Sequence, residues 1–167
     1  MKKTEVADND RAEVLQKIAV SAIKFALLRQ GIGSDIEFSL KESVSFSGNS
    51  GPYIQYTYVR CSSILSHIKT KLMPAKLNAM SSEEEDLLRA LSQFSDVIFE
   101  AAQKTAPHII ATHLFSVAQK FSLFYEKQQI LKADEPERNN RLILTQATAF
   151  VLKKGLYLLG IETVEKM

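Results

Sequence analysis

Apolar residues recur at intervals of three and four along most of this chain, the period that stacks side chains on one face of an α-helix. Over residues 10–29, Leu15, Ile18, Ala22 and Phe25 keep that spacing while charged residues fill other positions, and Gly31 follows as a stop. This predicts an amphipathic helix that packs through one stripe. Ile36, Phe38 and Leu40 then alternate with polar neighbours, a pattern that suits a short strand, although residues 40–46 suit a single helical turn equally well.

The run Ser47-Gly48-Asn49-Ser50-Gly51-Pro52 is a dense turn signal, and proline is favoured at the first position of a helix, where its missing N–H costs nothing. A helix over 52–71 is predicted, followed by a connector over 73–80 that has no clear period. Ser81 and Ser82 are each followed three residues later by a glutamate, Glu84 and Glu85, the capping-box spacing of a helix start. Behind that cap Leu87, Leu91, Phe94, Ile98 and Ala101 form one stripe, and after Pro107 a second stripe runs through Ile110, Leu114, Val117, Phe121 and Phe124. Two such stripes across a short break predict an antiparallel helix pair with a shared seam. A polar stretch over 132–140 containing Pro136 precedes a last helix over 138–159, which Gly160 stops. The fold expected is all-α, a helical bundle with an irregular, partly helical N-terminal third.

Composition narrows what such a bundle does. With 46% apolar and 24% charged residues over 167 positions, the chain falls in the ordinary globular class. The 21 lysines and arginines against 19 acids leave a net charge of +2, too weak a field to signal nucleic acid, so any basic site is local. The one cysteine, Cys61, rules out an internal disulfide and a cysteine-rich zinc site and fits a reducing compartment. The opening Met1-Lys2-Lys3-Thr4-Glu5 is charged rather than apolar. Neither a signal peptide nor a membrane span is expected to begin there, and a cytoplasmic location follows.

No catalytic or metal-binding pattern stands out. Gly31 and Gly33 lack the third glycine of a dinucleotide loop, and no phosphate-binding loop occurs. His108 and His113 are five apart, which puts them on different helix faces and makes them structural. The acidic run Glu83-Glu84-Glu85-Asp86 sits where it caps a helix and meets its dipole. Catalytic residues, metal ligands and a cofactor are therefore not expected in this chain.

The helix after Pro52 carries two stripes. Ile54, Tyr58, Cys61, Leu65 and Ile68 form the packing face, while Tyr53, Tyr56 and Arg60 repeat at three and four on another face. Two rings and a planar cation turned outward suit a single-stranded RNA loop, where bases stack on rings and arginine stacks or hydrogen-bonds. The same spacing also suits tyrosines that cover a second neighbouring element and an arginine that caps a carbonyl. Lys69, Lys71 and Lys76 lie just downstream, where they can meet phosphates.

Three ordered blocks resemble the C-terminal region of the class I arginyl-tRNA synthetases, including the helical DALR anticodon-binding domain. They are Ser45-Phe46-Ser47-Gly48-Asn49-Ser50-Gly51-Pro52-Tyr53-Ile54-Gln55-Tyr56, then Phe124-Tyr125-Glu126 with Ile130-Leu131, then a closing run from Arg141-Leu142 to Glu165-Lys166-Met167. The resemblance covers nearly the whole chain. Val164 and Lys166 stand where the family more often has proline and arginine. The H-I-G-H and K-M-S-K-S signatures with which that family handles ATP do not occur here.

The resemblance implies a fragment of an enzyme that joins arginine to its tRNA with ATP and magnesium, the fragment itself being inactive. Residues 1–51 would be the end of the catalytic body and its tRNA stem-contact region, and 52–167 the anticodon-binding bundle. Its partners would be arginine tRNA and the missing catalytic domain of the same chain, with no membrane. Tyr53, Tyr56 and Arg60 take positions that face the anticodon loop in the family. Tyr125 matches a family tyrosine near the same bases, although its place beside Phe121 and Phe124 suits packing as well. Met167 matches a terminal methionine that closes the site. Readings of other classes are a stand-alone helical tRNA-binding module and a protein-interaction bundle.

Overall fold

The computed structural model describes residues 8–36, 38–68, 72 and 80–167. Seven helices occur among them: α1 (Asp8–Leu28), α2 (Leu40–Ser43), α3 (Gly51–Leu65), α4 (Ser82–Ser92), α5 (Phe94–Gln103), α6 (Pro107–Lys127) and α7 (Glu137–Leu158). The described residues contain no strand. The alternation at Ile36, Phe38 and Leu40 therefore belongs to an irregular approach to α2. There Ser39 caps the single turn by accepting from the Glu42 N–H, and the Ser43 hydroxyl donates back to the Ser39 carbonyl at 2.8 Å.

The core lies where α3, α6 and α7 meet, with Phe25, Ile54, Leu87, Leu114, Phe121 and Leu152 each fully buried. Leu87 brings α4 into it, and Phe25 brings α1, so the N-terminal helix shares the core of the bundle. Glycine permits two of these approaches. A β-carbon on Gly155 would stand 2.3 Å from a Leu114 methyl, and one on Gly51 would stand 2.5 Å from the Ser21 carbonyl oxygen. These gaps let α7 lie against α6, and the start of α3 against α1, at backbone distance.

Three expectations need correction. The stripe on α1 is buried only in its second half, at Ala22 and Phe25; Leu15 is 58% exposed because α3 begins opposite Ser21 and nothing described covers the first turns. The helix expected over 52–71 ends at Leu65. The Ser66 N–H still makes the helical bond to the Ser62 carbonyl at 2.9 Å, but the N–H groups of His67 and Ile68 reach back only three residues, to Ile64 at 3.4 Å and Leu65 at 3.0 Å. The Ser66 hydroxyl takes the Ser63 carbonyl at 2.8 Å, a local serine bond of the kind that competes with the ladder. The stripe from Leu87 to Ala101 is carried by two helices, α4 and α5, with Gln93 between them, where the Ser92 hydroxyl takes the Arg89 carbonyl at 2.8 Å. The capping box forms at Ser81 and Glu84. Glu84 also accepts from the Arg141 Nε at 2.7 Å, a nearly buried ion pair that joins the start of α4 to α7.

Past Gly160, which takes a left-handed φ of +66°, the last residues lie along α3. Ile161 and Val164 are buried, and the fully buried Gln55 donates to the Glu162 carbonyl at 2.7 Å. The Tyr58 hydroxyl then donates to Glu165 at 3.3 Å and accepts from Lys153 at 3.3 Å. The C-terminal segment is thus fastened across α3 at both ends, each time by a buried apolar side chain next to a polar bond.

Candidate nucleic-acid interface

One helical step is about 100° of rotation, so Tyr56 and Arg60, a turn apart, share a side of α3. Tyr56 is 37% exposed and accepts a hydrogen bond at 2.8 Å from the Arg60 guanidinium, whose central carbon lies 4.7 Å from the tyrosine ring centroid. The same carbon lies 5.0 Å from the ring centroid of Tyr125, near the end of α6. A guanidinium held by two ring faces is a cation–π arrangement that keeps both rings and the cation at the surface in a defined order.

Tyr125 is itself seated. Its ring lies over the buried Phe121 with centroids 6.3 Å apart and planes within 27°. One face therefore leans on the core while 43% of the residue remains exposed. On the other flank Phe46, from the turn before α3, meets Tyr56 edge-on at 6.3 Å and 71°. The site is thus a row of exposed rings, Phe46, Tyr56 and Tyr125, with one arginine among them. Such a surface can stack planar bases and offer a cation to a phosphate or a base edge.

Tyr53 stands apart from this row. It precedes Ile54 by one residue, which rotates it only about 100° from the core stripe, and α6 fills that side. Its hydroxyl meets the Ser122 hydroxyl at 3.1 Å and its ring takes Phe115 edge-on at 5.8 Å. The expectation that Tyr53 turns outward with Tyr56 and Arg60 is corrected: it is half-buried against a neighbouring helix. Met167 ends the chain 42% exposed, two residues beyond the Glu165 that bonds to Tyr58. Lys69, Lys71 and Lys76 lie outside the described residues. The sequence reading missed Phe46, although an isolated phenylalanine in a serine- and glycine-rich turn, with no helical partner at three or four, marks a ring that the core does not claim.

The remaining candidate chemistry is structural. Burial pushes the Cys61 thiol up, away from the thiolate form. Burial likewise lowers the His113 pKa, and its ring stacks on Phe94 at 6.0 Å. Glu83 is held below the usual carboxylate range by its own backbone N–H and by Lys127, 3.3 Å away. Among the described residues no group of three histidine, cysteine or acidic side chains is placed to hold a metal, and no helix is long and apolar enough to cross a membrane.

Comparison with known proteins bears on the family and the fold. The family described as DALR anticodon binding domain matches residues 54–167. An arginine–tRNA ligase of Shewanella putrefaciens is 38% identical over 168 residues, covering 99% of this chain and 29% of that protein. Among solved structures, the arginyl-tRNA synthetase of Thermus thermophilus superposes with a TM-score of 0.86 at 31% identity, over 93% of this chain and 27% of that one. That of Plasmodium falciparum gives 0.81 at 28% identity, over 93% and 28%. The chain spans well under a third of the length of these relatives.

Proposed function

This chain belongs to the DALR anticodon binding domain family, and from that premise we propose that it docks on arginine tRNA and reads the bases of the anticodon stem-loop. The observation that carries the reading is the Arg60 guanidinium held between the exposed rings of Tyr56 and Tyr125. Splayed loop bases stack on the two rings, and Arg60 supplies a planar donor to a base edge or a phosphate. Tyr53 supports the site from beneath, by fixing α3 on α6 through Ser122. Met167 closes it from the C-terminal segment, and Lys69, Lys71 and Lys76 neutralise phosphates in this reading.

In this reading the chain is part of an enzyme that ligates arginine to tRNA with ATP and magnesium, in the cytoplasm. The chemistry belongs to the catalytic body. Residues 52–167 form the reading unit, and residues 1–51 connect it to that body and contact the tRNA stem. The outward side of α1 supports such a junction, because Leu15, Ile23 and Leu27 are each close to half exposed or more on one helix. Apolar surface of this kind marks a covered face in the whole protein.

Titration of the chain with a synthetic anticodon stem-loop of arginine tRNA tests the proposal, an unrelated stem-loop of equal length serving as control. Tighter binding of the arginine loop is expected. Equal affinity for the two loops would sink the reading.

A further inference from the structure

Phe46 shares the row of rings yet has no part in the reading so far. It stands 51% exposed in a turn otherwise made of serine, glycine and asparagine, and among the described residues its one ring contact is the edge-on meeting with Tyr56. Edge-to-face pairs hold because the positive rim of one ring meets the negative face of the other, which also sets their mutual angle.

The turn that carries Phe46 is itself held in place. The Ser47 N–H donates to the Ser45 hydroxyl at 3.1 Å, the Ser50 N–H to the Gly48 carbonyl at 2.9 Å, and Arg29, just past the end of α1, to the Asn49 carbonyl at 2.8 Å. Ser50 closes the arrangement. Its hydroxyl accepts from the Tyr53 N–H at 3.2 Å as the cap of α3 and donates to the Ser45 carbonyl, the peptide group that leads into Phe46. One hydroxyl therefore ties Phe46 to the first turn of the helix that presents Tyr56. The two rings are registered to each other before a partner arrives, and a surface ordered in advance loses less freedom on binding.

We propose that Phe46 is a positioning residue of the RNA site, which fixes the plane of the Tyr56 ring so that a loop base can stack on it. The proposal rests on the anticodon-loop reading. It predicts that Phe46 acts through Tyr56: its removal weakens RNA binding only while the tyrosine ring is there to be positioned.

The test uses the full 167-residue chain, the arginine-tRNA anticodon stem-loop, and Phe46→Ala, Phe46→Leu, Phe46→Tyr, Tyr56→Ala and the Phe46→Ala/Tyr56→Ala pair, with thermal unfolding of each. Phe46→Ala and Phe46→Leu are expected to bind roughly three- to ten-fold more weakly, the range set by an aromatic pair, with the melting temperature kept. Phe46→Tyr should restore most of the affinity, and the pair should bind no more weakly than Tyr56→Ala alone. Parental affinity in Phe46→Leu, or losses that simply multiply in the pair while Tyr56→Ala still weakens binding, overturns the role of Phe46 and leaves the anticodon reading standing. Parental affinity in Tyr56→Ala overturns both. Should Phe46→Ala fail to fold, Phe46→Leu decides, since it keeps apolar bulk and removes only the ring.

Discussion

Tyr56 and Tyr53 are three residues apart on one helix, and their surroundings assign them different work. Tyr56 is exposed on the guanidinium of Arg60, whereas Tyr53 spends its hydroxyl on Ser122. Replacing Tyr56 with phenylalanine keeps the ring and should keep most of the affinity for the loop. Tyr56→Ala removes a stacked ring and should weaken binding by about 1–3 kcal/mol, with little change in a urea unfolding curve. A mutant that unfolds far more readily but binds normally once folded would show that Tyr56 packs rather than recognises. His113 gives a pH prediction. Burial lowers its folded pKa below the ordinary 6.5, so the unfolded chain binds the proton more readily. Stability is therefore full above about pH 6.5 and falls as pH drops from there towards the lower folded value. His113→Gln should flatten that part of the stability profile, which denaturant titrations at pH 5 and pH 7.5 would measure; an unchanged slope would assign the acid sensitivity to another group.

At the scale of elements, polar side chains decide where helices begin, end and meet. Ser50 caps α3, Ser81 caps α4, and the Ser66 hydroxyl takes the Ser63 carbonyl where α3 ends. Glu84 has two duties: its carboxylate returns the capping bond to the Ser81 N–H at 2.8 Å and accepts from Arg141 at 2.7 Å. Glu84→Gln can keep the first bond and loses the charge opposite Arg141. It should cost about 1–3 kcal/mol of folding stability, since a hydrogen-bonded charge is left poorly paired. Glu84→Ala loses the cap as well and should cost about 1 kcal/mol more. Urea unfolding of the two variants separates the contributions. Parental stability in Glu84→Gln would mean that the ion pair only offsets its own desolvation, as nearly buried pairs often do.

Across the whole molecule, a net charge of +2 means that RNA affinity cannot come from a general basic field. In the proposed function it comes from stacked rings and a few cations. If Arg60, Lys69, Lys71 and Lys76 each neutralise one phosphate, the logarithm of affinity should fall against the logarithm of salt with a slope of about −3, at about −0.7 per phosphate on single strands. A salt titration of stem-loop binding measures it. A slope near zero would contradict phosphate contacts, and a much steeper one would require cations elsewhere on the surface.

The helical character of the chain, the capping box at Ser81 and Glu84, the proline start of α3 and the stop at Gly160 were all legible in the sequence. Each is a local matter: a period of three and four, or a hydrogen bond between residues a few positions apart, is written in neighbouring letters. The resemblance carried by Ser45 to Tyr56 and by the closing run pointed to the family in the same way. What tertiary structure alone decided is which side chains meet across the bundle. Periodicity grouped Tyr53 with Tyr56 and Arg60, because a helix wheel knows its own helix and not where α6 lies. Only the approach of α6 to α3 set Tyr53 against Phe115 and brought Tyr125 to the free face of Arg60. Likewise the Leu15 stripe looked like core, yet a stripe is buried only where another element reaches it, and α3 begins too far along α1 to do so. Phe46 entered the row of rings for the same reason: its turn is folded back by Ser50 and Arg29, and the position of Arg29 depends on how α1 packs.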